Sequence, residues 1–425
     1  MMPCVTDPFD GPPEKLEVAA ENRAGAAADL EFACHRKKTV GPAAWRKRLA
    51  SSLLVSGLSL VCLAPPPAVA ASGTQPPRFL LGADVSALAT PGRGGWAPLP
   101  VYQENGKTNE EWMILLNHGW TIFRLRVFVS PVRNAPNNSL ENMLPLAKRI
   151  KAAGATLLLD LHLSDTWADP QHQLIPLAWT NLDFDGLEKQ VETYTHDVIR
   201  QFKDAGAMPD WVQVGNEITW GTLWPLARLE PPGSIRHKSS EPYDERTQWD
   251  HLTRILKAGI RGVRAAAGDT PPRIAIHIDR GANWTVTKWF FDHLTDAHVE
   301  YEIIAQSFYP PWHHGTLEGL RDNMTQCAQR YHKDFAVVET GYGRSRVENN
   351  PDMKWPETPE GRLQFMADLI NTVKASPRGL CVMYWAPERD IWNQDGSPGP
   401  AVSVLDQLTT LTNRPVSHLP SAVNP

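Results

Sequence analysis

From Pro76 onward the sequence repeats one pattern: eight short apolar runs, each followed by a turn and, between one run and the next, a longer stretch with helical periodicity. Runs of about four to eight residues rich in Val, Ile, Leu and Phe suit a buried strand and are too short for a buried helix. They fall at 79–85, 121–128, 156–163, 211–214, 273–279, 302–309, 335–340 and 380–385. The stretches between them are apolar on one helical face, at 109–117, 140–153, 185–204, 244–267, 285–294, 317–332 and 359–374. Gly154 closes the second as a helix stop, and a Pro-, Gly- and Ser-rich loop at 221–242 separates the fourth strand from its helix. This alternation, unbroken by a linker, predicts one α/β domain, a (β/α)8 TIM barrel whose long loops gather on one face. A doubly wound sheet is the alternative. It wants a glycine-rich phosphate turn after the first strand, and Gly82-Ala83-Asp84-Val85-Ser86 is not G-x-G-x-x-G.

Two of the eight runs end in a carboxylate. Trp211-Val212-Gln213-Val214 leads into Gly215-Asn216-Glu217, and Phe335-Ala336-Val337-Val338 leads into Glu339. A carboxylate at the tip of an apolar strand is costly to bury unless something uses it. For one such Glu, a helix cap or an ion pair with Arg is the alternative. Two of them, 122 positions apart in an alternating chain, point to a pair facing one cleft at the strands' C-terminal mouth. The other strand exits supply Asp84 and Ser86, Arg124 and Arg126, then Asp160, His162, Asp165 and Trp167. His277 and Asp279 follow, then Tyr309, Trp312 and Trp385. Either Arg could simply pair with a strand-end Asp inside the barrel. The collection as a whole suits glycoside hydrolysis, with one carboxyl donating a proton to the leaving oxygen and the other attacking the anomeric carbon. An Arg beside the nucleophile favours its ionised form, and burial raises the acid. Asn216 is placed to donate to a sugar hydroxyl, Tyr309 to hydrogen-bond the nucleophile, and the abundant Trp, 16 in all, to carry flat sugar faces.

The formal charge of −5 leaves no basic surplus, so nucleic acid is not an expected partner. Residues 1–35 show no sustained period and are expected to be a non-native or disordered leader. At 36–70 the sequence reads as a signal peptide: basic clusters Arg36-Lys37-Lys38 and Arg46-Lys47-Arg48, an apolar run from Leu49 to Ala64, and Ala68-Val69-Ala70 before Ala71. A signal peptide belongs at a terminus, so translation is expected to start downstream, near Val40. The expected product is residues 71–425, secreted or periplasmic, monomeric, and free of the membrane after cleavage. Of five cysteines only Cys327 and Cys381 lie beyond that cut; two buried thiols are expected, with a single bridge as the alternative, and no zinc spacing is present.

Several stretches carry a resemblance. They are GADVS at 82–86, FRLRV at 123–127, LDLHLSDTWADP at 159–170, VQVGNEI around Glu217, and Leu223-Trp224-Pro225. IHID at 276–279, Ser307-Phe308-Tyr309-Pro310 with Trp312, and VVETGY around Glu339 complete the set. In these the chain resembles the glycoside hydrolase family 53 arabinogalactan endo-β-1,4-galactanases, of the retaining clan A. The resemblance implies a polysaccharide substrate, β-1,4-galactan, cleaved by double displacement with Glu217 as acid/base and Glu339 as nucleophile. It places Asp84, Arg124, His162, Asp165, Trp167, Asn216, Trp224, His277, Asp279, Tyr309, Trp312 and Trp385 along the substrate. Phe128, Leu163, Phe308 and Gly341 depart from the family's usual Trp, Tyr, Tyr and Ala, Ala386-Pro387-Glu388 follows Trp385 in place of Glu-Pro, and these changes are expected to alter the cleft. The mechanism requires no cofactor. A structural Ca²⁺, as in some relatives, would look to Asn349, Asn350 and Asp352, or to Asn393 and Asp395, where plain turns are the alternative. Three other functions compete. A metal-dependent barrel hydrolase wants His-x-His after strand one, which GADVS lacks. A non-catalytic polysaccharide-binding barrel would not need both Glu residues, and a retaining glycosidase of other specificity or exo action fits the same carboxyls.

Overall fold

The computed structural model describes residues 79–90, 101–104, 106–131, 138–233, 243–313, 315–342 and 352–392. The leader and signal segments lie outside the described residues, as do Asn349, Asn350, Asn393 and Asp395.

Eight parallel strands close on themselves: β1 Leu80–Asp84, β2 Ile122–Val127, β3 Thr156–Leu161, β4 Trp211–Val214, β5 Arg273–Ile278, β6 Ile303–Phe308, β7 Asp334–Thr340 and β8 Gly379–Tyr384. Each pairs with its sequence neighbours, and β8 returns to β1 with Leu80 opposite Cys381. The connecting helices are α1 Glu111–Asn117, α2 Leu140–Ala152, α3 Phe184–Asp204, α4 Glu245–Ala267, α5 Trp284–Asp296, α6 Leu317–Tyr331 and α7 Pro359–Ala375. This is a (β/α)8 barrel. The 221–242 loop contains a small antiparallel ribbon, Gly221–Thr222 against Ala227–Arg228. Among the described residues no helix is long and apolar enough to cross a membrane.

The period of two along each strand divides the core into two layers. Phe123, Leu125 and Val127, Leu157, Leu159 and Leu161, and Ile274, Ile276 and Ile278 face outward and pack under the helices. The lumen floor is a second apolar cluster that includes Ile122, Leu158, Trp211, Ala275, Ala305, Ala336, Val338 and Met383. One step further along the same inward rows stand Arg124, Asp160, Gln213, His277 and Ser307, all fully buried. The apolar floor therefore ends in a polar layer at the C-terminal mouth. Phe308 belongs to the other face: its ring stacks 6.3 Å from Phe365 of α7, under the helices. Of the five departures, this one leaves the lumen wall unaltered. Cys327 and Cys381 are free buried thiols.

Helix ends follow the sequence. Ser139, Asp183, Asn283, Thr316 and Thr358 each accept a backbone amide three residues on. Helices α3 and α4 come close because α4 offers glycine: a Cβ at Gly262 would lie 2.3 Å from Glu192 O.

Candidate active site

Two local distortions aim the carboxylates. After β4 the chain turns through Gly215 at φ +83° and brings Glu217 into the left-handed region, φ 46° and ψ 47°. A non-glycine residue there stores strain, which the surrounding structure must hold. In β7, alternation puts Ala336 and Val338 toward the lumen, which would turn Glu339 outward. A bulge corrects this: Gln306 pairs with Val337 but Ser307 pairs with Glu339, so one residue is skipped. The bulge returns Glu339 to the lumen, beside β6.

Arg124 is the hub. Its Nη1 lies 2.8 Å from Glu339 Oε1 and donates to Asp84 Oδ2 at 2.9 Å. Its Nη2 donates at 2.7 Å to both Asp160 Oδ2 and Asn216 Oδ1. Burial alone would lower a guanidinium, but the Asp160, Glu339 and Asp84 carboxylates outweigh it and raise Arg124. Asp84 shows the reciprocal effect: burial pushes it up, and Arg126 with Arg124 holds it below the usual carboxylate range. His162 stands 3.0 Å from Asp160 Oδ2 and takes the Ala168 amide on Nδ1; burial keeps its ring below the usual imidazole range.

Around Glu217 the supports differ. Ser307 Oγ is 2.6 Å from Glu217 Oε1 and His277 Nε2 is 2.9 Å from the same hydroxyl. Burial, with the Glu339 and Asp279 carboxylates adding to it, holds Glu217 well above the usual range. Glu339 is raised too, by burial, but Arg124 opposes that rise. The expected Arg effect is present and is outweighed by burial. Of the two, Glu217 is the stronger claimant for a shared proton. Tyr309 donates to Glu339 Oε2 at 3.3 Å and is itself kept protonated by burial and the Glu339 charge.

The remaining expected residues fall into two groups. Trp167 and Trp385 approach at 6.5 Å over Arg126, whose guanidinium lies 4.5 Å from the Trp167 ring; Phe128 packs beneath Trp167 and His162. Trp312 is 46% exposed and tilts against Tyr309, an open aromatic face at the rim. Trp224 is half-buried, held by its indole N–H on Trp220 O with Arg228 over the ring. Asp165 and Asp279 are braces. Asp165 accepts the Ser130 and Leu177 amides, while Asp279 holds Thr219 and Arg280. Asn216 places one amide hydrogen on Ala168 O, which leaves one for a ligand. Asp352 accepts from Gly315 N. Among the described residues no group of three or more His, Cys, Asp or Glu is arranged to hold a metal.

Sequence reasoning passed over Gln213, which donates to Asp160 and Asn216, Gln173, which donates to Asn216 O, and Ser307. For Gln213 and Ser307 the available signal was a polar side chain on an otherwise apolar inward row, whereas Gln173 stands in the loop after β3 and carried none.

The chain matches Glycosyl hydrolase family 53 over residues 80–418. It is 37% identical over 333 residues to an "Uncharacterized protein in bgaB 5'region" of Niallia circulans, covering 74% of this chain and 86% of that one. To the arabinogalactan endo-beta-1,4-galactanase of Thermothelomyces thermophilus it is 31% identical, over 72% of this chain and 88% of the other. Among solved structures, one described as of fungal beta-1,4-galactanases superposes with a TM-score of 0.68 at 29% identity, covering 78% of this chain and 99% of that one.

Proposed function

The chain belongs to glycosyl hydrolase family 53 and is a glycoside hydrolase, and from that premise we propose that it cleaves the backbone of β-1,4-galactan by double displacement. Glu339 is the nucleophile. Arg124 at 2.8 Å and the Tyr309 hydroxyl at 3.3 Å stabilise its ionised form and the charge that returns to it when the intermediate breaks down. Glu217 is the acid and then the base. Its burial and the neighbouring acids keep a proton on it at rest, ready for the leaving oxygen. The half-reactions are reciprocal. Glu217 protonates the leaving oxygen as Glu339 bonds to the anomeric carbon; Glu217 then takes a proton from water as that ester is cleaved, with net retention. Trp167 and Trp385 offer faces for the sugar on one side, and Trp312 for its continuation on the other. Asp84, Asp160, Gln213 and His162 touch the chemistry through Arg124 and Asn216.

The observation that carries this reading is the pairing of Ser307 with Glu339 across β6 and β7 while its hydroxyl bonds Glu217. Neighbouring strands run about 4.8 Å apart, so the two carboxyls flank one small space. The test is a polysaccharide screen with product stereochemistry. Galactan should give short oligosaccharides early, with the newly formed reducing end first released as the β-anomer. Release of single sugars from the chain end, preference for arabinan, mannan or cellulose, or an α-anomer first would overturn the specific claims in turn.

Export fits the basic clusters and apolar run at 36–64 followed by Ala-Val-Ala. A mature protein beginning at Ala71 is the expected result of N-terminal sequencing.

A further inference from the structure

Gln173 stands in the loop after β3, is wholly buried, and gives both hydrogens of its side-chain amide to main-chain oxygens. Nε2 donates to Asn216 O at 2.8 Å and to Asp169 O at 3.1 Å. Turned over, the amide would set Oε1 against two carbonyl oxygens, so its orientation is fixed. The loop that carries it is itself tied down. Asp169 and His172 exchange backbone hydrogen bonds of 2.9 and 3.1 Å, and Asp169 Oδ1 accepts the Gln171 and His172 amides. Gln173 O in turn accepts the Trp224 amide at 2.7 Å. One buried residue thus joins the loop after β3, the exit of β4 and the ribbon that follows it.

What Gln173 holds at the exit of β4 is the peptide unit that aims Glu217. The Gly215 amide still donates to Leu161 O of β3, at 2.9 Å. The next unit, Asn216–Glu217, is held at both ends by side chains from other elements. Its oxygen accepts from Gln173 Nε2, and its N–H donates to His277 Nδ1 at 3.4 Å. Rotating this unit would change the φ of Glu217, now +46°, and swing its carboxyl about the chain. That left-handed conformation is unfavourable for a residue with a side chain, so it persists only where its surroundings fix it. We propose that Gln173 is a positioning residue for the acid/base, holding the Asn216–Glu217 peptide so that the Glu217 carboxyl stays beside Ser307 and within reach of the leaving oxygen. This rests on the reading of Glu217 as acid and base. Glu339 is held separately, by Arg124 and Tyr309, neither of them bonded to Gln173.

A displaced acid/base leaves a particular signature. In the first half-reaction the Glu217 proton goes to the glycosidic oxygen as its bond to the anomeric carbon breaks and Glu339 bonds to that carbon. A sugar leaving group needs this proton; a dinitrophenolate departs without it. In the second, Glu217 takes a proton from water as the water oxygen bonds to the anomeric carbon and the electron pair of the ester bond returns to Glu339. Azide attacks the same carbon with no proton to lose. Misplacing Glu217 alone therefore slows the polymer, spares the departure of dinitrophenolate, and leaves an ester that azide can release.

The test compares wild type with Q173M, which keeps the length of the side chain without its donors, on galactan and on phenyl and dinitrophenyl β-galactobiosides. In Q173M, kcat/KM should fall about 10–100-fold on galactan and the phenyl glycoside, and less than about threefold on the dinitrophenyl glycoside. Azide should raise kcat of Q173M on the dinitrophenyl glycoside and give a galactobiosyl azide of retained configuration, with no such gain in wild type. A merely structural role would lower kcat/KM by one factor on all three substrates and give azide nothing to restore. If Q173M does not accumulate as folded protein, Q173N keeps an amide that is one methylene too short for both oxygens, and should show the same selective loss. Equal losses across the substrates, or none, in the folded variant would overturn the proposal. E217A separates the two readings. Undiminished galactan cleavage in E217A rejects the acid itself, whereas its selective loss there beside an even loss in Q173M rejects only the role of Gln173.

Discussion

Among the described residues, a buried carboxyl stands beside a second acid and is raised by it in two places, and they are supported differently. In the mouth, Glu217 and Glu339 stand at the ends of β4 and β7 among Arg124, Ser307 and Tyr309, each still 7% exposed to the cleft. At the flank, Glu111 of α1 is wholly buried. It is faced by Glu388, by the Tyr102 phenol and by the Trp392 indole, which donates to Oε1. Burial first, and then the second acid, raises Glu111 well above the usual range, much as it does Glu217. A perturbed carboxyl is therefore no sufficient mark of a reacting one. What distinguishes the mouth is a cation shared among four partners, a hydroxyl on each carboxyl, and access for a substrate.

The largest effect that can break this comparison is loss of the nucleophile. E339A should lose galactan cleavage by about 10⁴-fold or more, with azide restoring turnover on a substrate with a good leaving group and giving an inverted glycosyl azide. E111A, by contrast, should keep kcat within a small factor; a comparable loss in both would erase the distinction. Next in size is the hub. R124M leaves Asp84, Asp160 and Glu339 without their shared cation, and should cost about 3–5 kcal/mol of stability in denaturant unfolding and roughly 10²–10³-fold in kcat/KM. A stable, active R124M would show that the network is ornamental.

The third comparison is in pH. Rate should fall on the acid side as Glu339 takes a proton, and on the alkaline side as Glu217 loses one, with the alkaline limb above the ordinary carboxylate range. E111Q should leave both limbs unchanged, and movement of either would tie the flank to catalysis. The smallest effect is on stability. Glu111 in the folded state is raised above its ordinary value of 4.5, so its stabilising contribution is complete below that pH and is lost as pH rises through the folded value. E111Q removes that loss. Its melting temperature should exceed wild type by about 2–4 °C at pH 8 and lose this advantage near pH 4.

The barrel was legible because each strand is a short apolar run and each helix a periodic one; observed boundaries lie within two residues of the expected ones, as for Trp211–Val214, which agrees at both ends. Mouth residues were legible where they followed a strand, as with Glu217. The supporting layer was not. Ser307 and Gln213 lie one inward step deeper, and a lone polar residue inside a strand gives no sign of what it will meet across the barrel. Nor does a sequence reveal a skipped residue. The bulge before Glu339 is visible only as a change of register against Ser307, and without it the alternation would have turned that carboxyl outward. Phe308 misled for the same reason, since its side of β6 depends on register and it faces Phe365. Asp165 and Asp279 were expected along the substrate from motif position, yet their oxygens hold loop amides, Thr219 and Arg280.

The most direct measurement is covalent. A 2-deoxy-2-fluorogalactoside with a dinitrophenolate leaving group slows both half-reactions and departure of the leaving group least, so the ester accumulates. After digestion at low pH, mass spectrometry should find the added fluorosugar on the peptide carrying Glu339 and on no other. A label on Glu217, or turnover of galactan with retention by an enzyme that never labels at Glu339, would contradict the account.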